Sequence, residues 1–256
     1  MHKIVNVIGG GLAGCEAAYQ LLKRGIKVNL YEMKPKKYSP AHKYPNLAEL
    51  VCSNSLKSDD KATAGGILKA ELRLLDSLLI ACADQTKVPA GNALAVNRED
   101  FSDLITKRLK EFDNLTIINE EVTEIDTSCP TIIATGPLTS DVLSIQLKKL
   151  FGEDYLYFFD AIAPIVAYDS IDFNIAFHGD RYGKGTSDYI NCPMNKEEYL
   201  SFQKMLVDGE IVKLKDFENH KVFEGCMPIE VLAKRGVDTM RFGPLKPVGI
   251  QPSKTL

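Results

Sequence analysis

Gly9-Gly10-Gly11-Leu12-Ala13-Gly14 follows the apolar run Ile4 to Ile8 and precedes a stretch with apolar Ala17, Ala18, Leu21 and Leu22 on one side. A chain with that order has few choices: a buried strand runs into a tight glycine turn and leaves it as a helix. Gly25 ends the helix, Lys27 to Tyr31 reads as a second parallel strand, and Glu32 closes it. The glycines permit the turn and let backbone N–H groups approach a pyrophosphate at the positive end of the helix, while the acid accepts hydrogen bonds from a ribose. The spacing therefore predicts a β-α-β dinucleotide-binding unit in which Gly9, Gly10, Gly11, Leu12, Ala13, Gly14 and Glu32 form the cofactor subsite. An acid at position 32 disfavours a 2′-phosphate, so FAD or NAD fits better than NADP.

The rest of the chain is less regular. Residues 33–65 are polar, punctuated by proline and non-periodic, the character of a long functional loop. Leu68, Leu72, Leu75 and Leu79 stand at helical spacing and predict one helix over 66–83. Residues 98–112 read as a second amphipathic helix, 115–122 as a strand, and 131–136 as a strand running into Gly136. Beyond about residue 170 clean β-α alternation is lost, which places a second domain there.

The net charge of −3 argues against an extended nucleic-acid footprint, although two segments are locally basic, with nine Lys/Arg against four Asp/Glu over 20–61 and eight against five over 213–254. Lys34, Lys36 and Lys37 in the first of these are the cations expected to face a phosphate backbone. No stretch of 18 apolar residues is present, so neither a membrane span nor a secretory leader is expected. Six scattered cysteines and four histidines show no disulfide framework and no metal-ligand spacing, which predicts reduced thiols in a cytoplasm and no metal site. Cys15 and Cys82 read as core residues, Cys129 and Cys192 as loop thiols. Cys52, among small hydrogen-bonding residues, and Cys226, in Phe223-Glu-Gly-Cys-Met-Pro-Ile-Glu230, suit either a buried structural cysteine or an exposed thiol activated by amides or a cation.

Taken together, several segments resemble one family, the folate- and FAD-dependent tRNA (uracil-5-)-methyltransferases (TrmFO, also called Gid). They are Gly9 to Ala18, Leu30 to Met33, Ala48 to Leu56, Val88 to Gly91, Ile132 to Ser140, Ala163 to Val166, Asn191 to Met194, Phe223 to Glu230 and Arg241 to Gly249. The resemblance implies an α/β fold: the N-terminal part of a Rossmann-like, glutathione-reductase-like FAD-binding domain over 1–170, and part of an α+β insertion or substrate domain over 171–256. It implies FAD as cofactor, 5,10-methylenetetrahydrofolate as one-carbon donor, NAD(P)H as reductant, and RNA as partner. The T-loop uridine of tRNA is the expected target, with ribosomal RNA the variant, and a FAD-binding fragment without activity the alternative. Cys226 matches the cysteine that attacks uracil C6, and Cys52 the second functional cysteine, near the flavin. Lys221, Lys234, Arg235 and Arg241 are the cations nearest Cys226 in sequence. Family members are longer, so the resemblance further implies that this chain is either a fragment of the whole or a truncated reading frame.

Overall fold

The computed structural model describes residues 4–51, 53–152, 166–180, 187–211 and 227–246. They fall into two compact units, Met1–Val88 with Ala93–Phe158, and Pro89–Asn92 with Phe159–Leu256.

In chain order the first unit comprises β1 (Ile4–Ile8), α1 (Leu12–Leu22), β2 (Lys27–Tyr31), β3 (Ser55–Ser58), α2 (Ala64–Leu74), α3 (Leu78–Gln85), β4 (Lys87–Val88), β5 (Ala93–Val96), α4 (Arg98–Lys110), β6 (Leu115–Ile118), β7 (Thr131–Ile133) and α5 (Asp141–Phe151). Strands β6-β2-β1-β7 make a parallel sheet in that order, with Ile4 opposite Lys27 and Ile8 opposite Tyr31 and Ile133. In β1 only Ile4 is exposed, and in β2 Val28 and Leu30 turn one apolar face to the core while Asn29 on the other face donates to Asn6 of β1 at 3.1 Å. Because β2 and β7 flank β1 on opposite sides, the carboxyl end of β1 is the point where the sheet order reverses, the place where open α/β sheets bind ligands.

The core lies between this sheet and α1, α3 and α4, with Val7, Cys15, Ala18, Val28, Leu30, Phe101, Ile105 and Leu109 buried in one cluster. Helix α4 presents Phe101, Ile105 and Leu109 at four-residue spacing, all at 0% exposure. Asn97 caps it by accepting from the N–H of Glu99 and of Asp100, and acids in its first turn with Lys107, Arg108 and Lys110 in its last complement the helix dipole.

The single helix expected over 66–83 is two. The break falls at Asp76, whose φ of 57° is left-handed, and α3 restarts with Ser77 as cap, its Oγ accepting from Ile80 N–H at 3.3 Å. The leucine periodicity misled because Leu68 and Leu75 sit on the solvent side, 54% and 69% exposed. What holds the break is α1: Glu16 accepts from Ser77 Oγ and from Leu79 N–H, and Lys23 pairs with Asp76. The region 33–65 also contains β3, which joins β5 and β4 in an antiparallel sheet of order β3-β5-β4 that the sequence reading did not foresee.

The second unit contains the hairpin β8 (Phe177–His178) and β9 (Ile190–Asn191), then α6 (Lys196–Asp208) and α7 (Ile229–Arg235). Asn195 and Glu198 form a capping box on α6, and Gln203 Nε2 donates to Ala233 O at 2.9 Å to join α6 to α7. The segment 89–92 is fixed in this unit by Gly91 N–H donating to Asp188 at 2.7 Å and by Tyr189 OH donating to Ala90 O at 2.8 Å. Among the described residues no helix is long and apolar enough to cross a membrane.

Truncating a fully buried α4 side chain tests this core. Ile105→Ala should lower the unfolding free energy by about 2–5 kcal/mol in urea titrations without loss of secondary structure.

Candidate functional site

The glycine turn occupies the switch point. Gly9 has φ 104°, and a Cβ there would stand 2.6 Å from the O of Ala134, the residue just past β7, so only glycine lets the chain leave β1 at that angle beside β7. A Cβ on Gly14 would stand 1.8 Å from Gly9 O, which brings α1 directly onto the turn. Gly11 is different in kind. Its φ is −75°, open to any residue, and a Cβ there would meet nothing within 4 Å. No feature of the protein itself requires glycine at that position.

Gly11 is also the N-cap of α1, and the cap carries no side-chain hydrogen bond and no acid in the first turn. The positive end of α1 is thus left to whatever stands before it. Leu12 and Ala13 begin the helix, Leu12 packed against the core and Ala13 exposed. Glu32 completes the set, with one carboxylate oxygen accepting from Gly10 N–H at 2.9 Å and the other from Lys34 N–H at 3.0 Å. Two amides fix its orientation, and a carboxylate has further lone-pair capacity for a hydroxyl.

The sequence reading missed a second layer behind this turn. Lys34 is 2% exposed, and its Nζ donates to Tyr44 O at 3.0 Å, Asn46 O at 2.7 Å and Glu49 Oε2 at 3.1 Å. Glu49 accepts in return from the N–H groups of Lys43 and Tyr44. Leu47 is held by Thr106 Oγ1 and Ser102 Oγ of α4, and its side chain packs where a Cβ on Gly10 would be. Ala48, at a left-handed φ of 54°, donates its N–H to Gly10 O at 2.8 Å. A non-glycine residue there costs on the order of 1–3 kcal/mol and persists only when its surroundings over-determine it.

This overturns the expectation that Lys34, Lys36 and Lys37 face a phosphate backbone together. Lys34 is buried and paired, Lys36 pairs with Glu120 at 3.5 Å, and Lys37 with Glu121 at 2.6 Å. The acids at 120 and 121, just past β6, pair with Lys36 and Lys37.

Cys52 and Cys226 lie outside the described residues, as does Lys221. The other thiols are where the sequence placed them. Cys15 and Cys82 are buried, Cys129 is half-buried and Cys192 exposed. Burial, and next the Glu32 charge, hold the Cys15 thiol far above its ordinary pKa, and it donates to Gly10 O at 3.3 Å. Burial pushes Cys82 up to about 11. Of the cations near Cys226 in sequence, Arg241 pairs with Asp238 at 2.8 Å, and Lys234 and Arg235 stand in the last turn of α7. Among the described residues no group of His, Cys, Asp and Glu is arranged to hold a metal ion.

The family described as glucose inhibited division protein A matches residues 4–255 of this chain. A protein of Acetivibrio thermocellus named methylenetetrahydrofolate–tRNA-(uracil-5-)-methyltransferase TrmFO is 60% identical over 255 residues, which is 100% of this chain and 58% of that protein. The protein of the same name in Bacillus subtilis is 60% identical over 250 residues, 98% of this chain and 57% of its own length. The chain therefore spans less than two thirds of these relatives. A solved structure, the GidA-related protein from Thermus thermophilus, shares 14% identity over 54% of each chain at a TM-score of 0.29, too slight a likeness to build on.

His42 gives the site a pH signature. Its Nδ1 lies 2.6 Å from the Oγ of buried Ser39, and burial, then the Lys34 charge, hold the ring below its ordinary pKa of 6.5, opposed by Glu49 and Glu32. As pH falls the unfolded chain takes up this proton first, so the stability it contributes is whole above pH 6.5 and is lost from there down toward the folded pKa. Thermal melts between about pH 8 and about pH 5 should show the midpoint falling on the acid side, and His42→Gln should flatten that fall.

Proposed function

The chain belongs to the glucose-inhibited division protein A family, and we propose from that premise that it carries the FAD-binding part of a folate-dependent RNA (uracil-5-)-methyltransferase. The observation that carries the cofactor assignment is Gly11, where glycine is needed neither for φ nor for protein packing, at the uncapped N-terminus of α1. A side chain there would fill the space before the helix amides, so its absence suits a pyrophosphate approaching the backbone. Glu32, fixed by Gly10 and Lys34, is set to accept from a ribose hydroxyl. FAD fits this subsite and, when bound, would supply the electrons that reduce the transferred one-carbon unit to a methyl group.

The methyl-transfer part of the reading is supported by 60% identity to proteins named for that activity. Uracil C5 is a poor nucleophile until a group adds to C6. In this reading the Cys226 thiolate adds there, C5 bonds to the methylene carbon delivered from 5,10-methylenetetrahydrofolate, and loss of the C5 proton expels tetrahydrofolate to leave an exocyclic methylene. Two-electron reduction of that methylene, with electrons that reduced flavin would supply, expels the thiolate and leaves the methyl group. Cys52 serves the flavin side, and its segment is tied to the nucleotide turn by Ala48, four residues earlier, which donates to Gly10 O. Cys15 and Cys82 are unfit for either role, since burial keeps them as thiols at neutral pH. The first unit then acts as the flavin domain and the second as part of the substrate domain. A uridine in the tRNA T-loop is the substrate, NAD(P)H the source of electrons, and the cytoplasm the place.

Gly11→Val should eliminate co-purifying flavin, read as visible absorbance after gel filtration; full retention would place the cofactor elsewhere. RNA containing 5-fluorouracil should trap a covalent adduct, because fluorine cannot leave C5 as a proton does. Tested with this chain and with a full-length form, on tRNA and ribosomal RNA transcripts, the adduct should form on tRNA and disappear in Cys226→Ala, which keeps its flavin. An adduct that survives in Cys226→Ala and vanishes in Cys52→Ala would reverse the two roles.

A further inference from the structure

Both polar ends of the Gly10 residue are gripped, its N–H by Glu32 Oε2 at 2.9 Å and its C=O by Ala48 N–H at 2.8 Å. The two grips trace back to one residue, the first through its backbone N–H and the second through its side chain. Lys34 N–H holds the second oxygen of Glu32 at 3.0 Å, and Lys34 Nζ closes the loop that ends in Ala48. We propose that Lys34 is the positioning residue of the nucleotide turn: its ammonium fixes the 43–49 loop so that Leu47 and Ala48 hold Gly10, and thereby the amides that follow it, in place for the cofactor's phosphates.

The chemistry of the loop makes the cation necessary. An ammonium has three protons and no acceptor, and here the three go to two carbonyls and one carboxylate of the same loop. Those carbonyls, of Tyr44 and Asn46, point inward only because a buried donor meets them, and Glu49 turns inward only because a cation and two amides meet it. Removing the charge leaves the Glu49 carboxylate buried and the two carbonyls unmet, so the loop must open to water. The left-handed Ala48 then loses what forces it, and its N–H leaves Gly10 O. Other ties to the loop, from Thr106 and Ser102 to Leu47 and from Asp103 to Tyr44 OH and Asn46 Nδ2, hold it to α4 but none reaches Glu32. Lys34 alone among these bonds both to the ribose-side acid and to the loop.

The effect on the cofactor rests on the FAD reading above; the clamp itself does not, and two measurements separate them. Amide hydrogen exchange of the cofactor-free protein should quicken at Gly10 and Ala48 in Lys34→Met, while Phe101 in α4 keeps its protection. Reconstitution with FAD, followed by flavin fluorescence, should show affinity weakened by roughly 10- to 100-fold, the scale of loss at metal sites when the outer partners that orient the ligands are removed. Lys34→Arg, which keeps a cation, should recover most of the affinity, and Ile105→Ala, destabilised in the core, should keep wild-type affinity at temperatures where it is folded. Unchanged exchange at Gly10 and Ala48 in Lys34→Met overturns the clamp. Faster exchange with unchanged FAD affinity overturns the positioning role, as does an equal loss of affinity in Ile105→Ala. A wild-type protein that binds no FAD, with exchange behaving as expected, defeats the cofactor reading and leaves the clamp standing.

Discussion

There is no room for a methyl group between Gly14 and the carbonyl of Gly9, where a Cβ would stand 1.8 Å from the oxygen. That close approach sets the angle and height of α1 over the sheet, and much else follows from it. It lowers Cys15 and Ala18 into the core at 0% exposure and brings Glu16 within reach of Ser77 and Leu79. The helix between positions 64 and 85 is therefore broken where α1 passes it. The same approach aims the uncapped end of α1 at the carboxyl edge of β1, the edge at which open α/β sheets bind ligands.

The parts of the structure legible in the sequence are those governed by neighbours along the chain. β1, α1 and β2 fall within a few residues of expectation because an apolar run, a glycine turn and a 3.6-residue stripe are local signals. The same holds for α4, whose Asn97 cap and first-turn acids announce it. The α2–α3 break was hidden because Leu68 to Leu79 keeps helical spacing across Asp76, and the cause of the break, Glu16, lies some 60 residues away. Strands β3, β4 and β5 were hidden for a related reason. They are about as short as β6 and β7, but each carries at most one β-branched residue where LTII and TII carry three, so their own pattern does not mark them.

Lys34 illustrates a different failure. Next to Lys36 and Lys37 in a polar, proline-bearing loop it reads as one of three surface cations, and composition offers no reason to separate it from the others. Its partners Tyr44, Asn46 and Glu49 lie 10 to 15 residues on, and two of the three contacts are to backbone carbonyls, which carry no sequence signal. The charge pattern over 20–61 therefore overstated the basic surface. The cost of burying an ion pair makes such a site poor evidence for stability.

The distribution of thiols shows how the same turn restricts its own chemistry. Cys15 follows the last glycine of the fingerprint and donates to Gly10 O, the atom that also receives Ala48 N–H. A thiolate there would place a negative charge in the core, beside Glu32 and against a carbonyl oxygen, which is why burial and Glu32 both drive its pKa upward. Its proton is part of the architecture, and the turn can hold a cysteine next to a redox cofactor without offering a competing nucleophile. A reactive cysteine must instead stand where a cation or free amides can stabilise the thiolate. In this fold that restricts it to segments outside the packed β-α-β unit, and in the sequence Cys52 and Cys226 both lie beyond that unit.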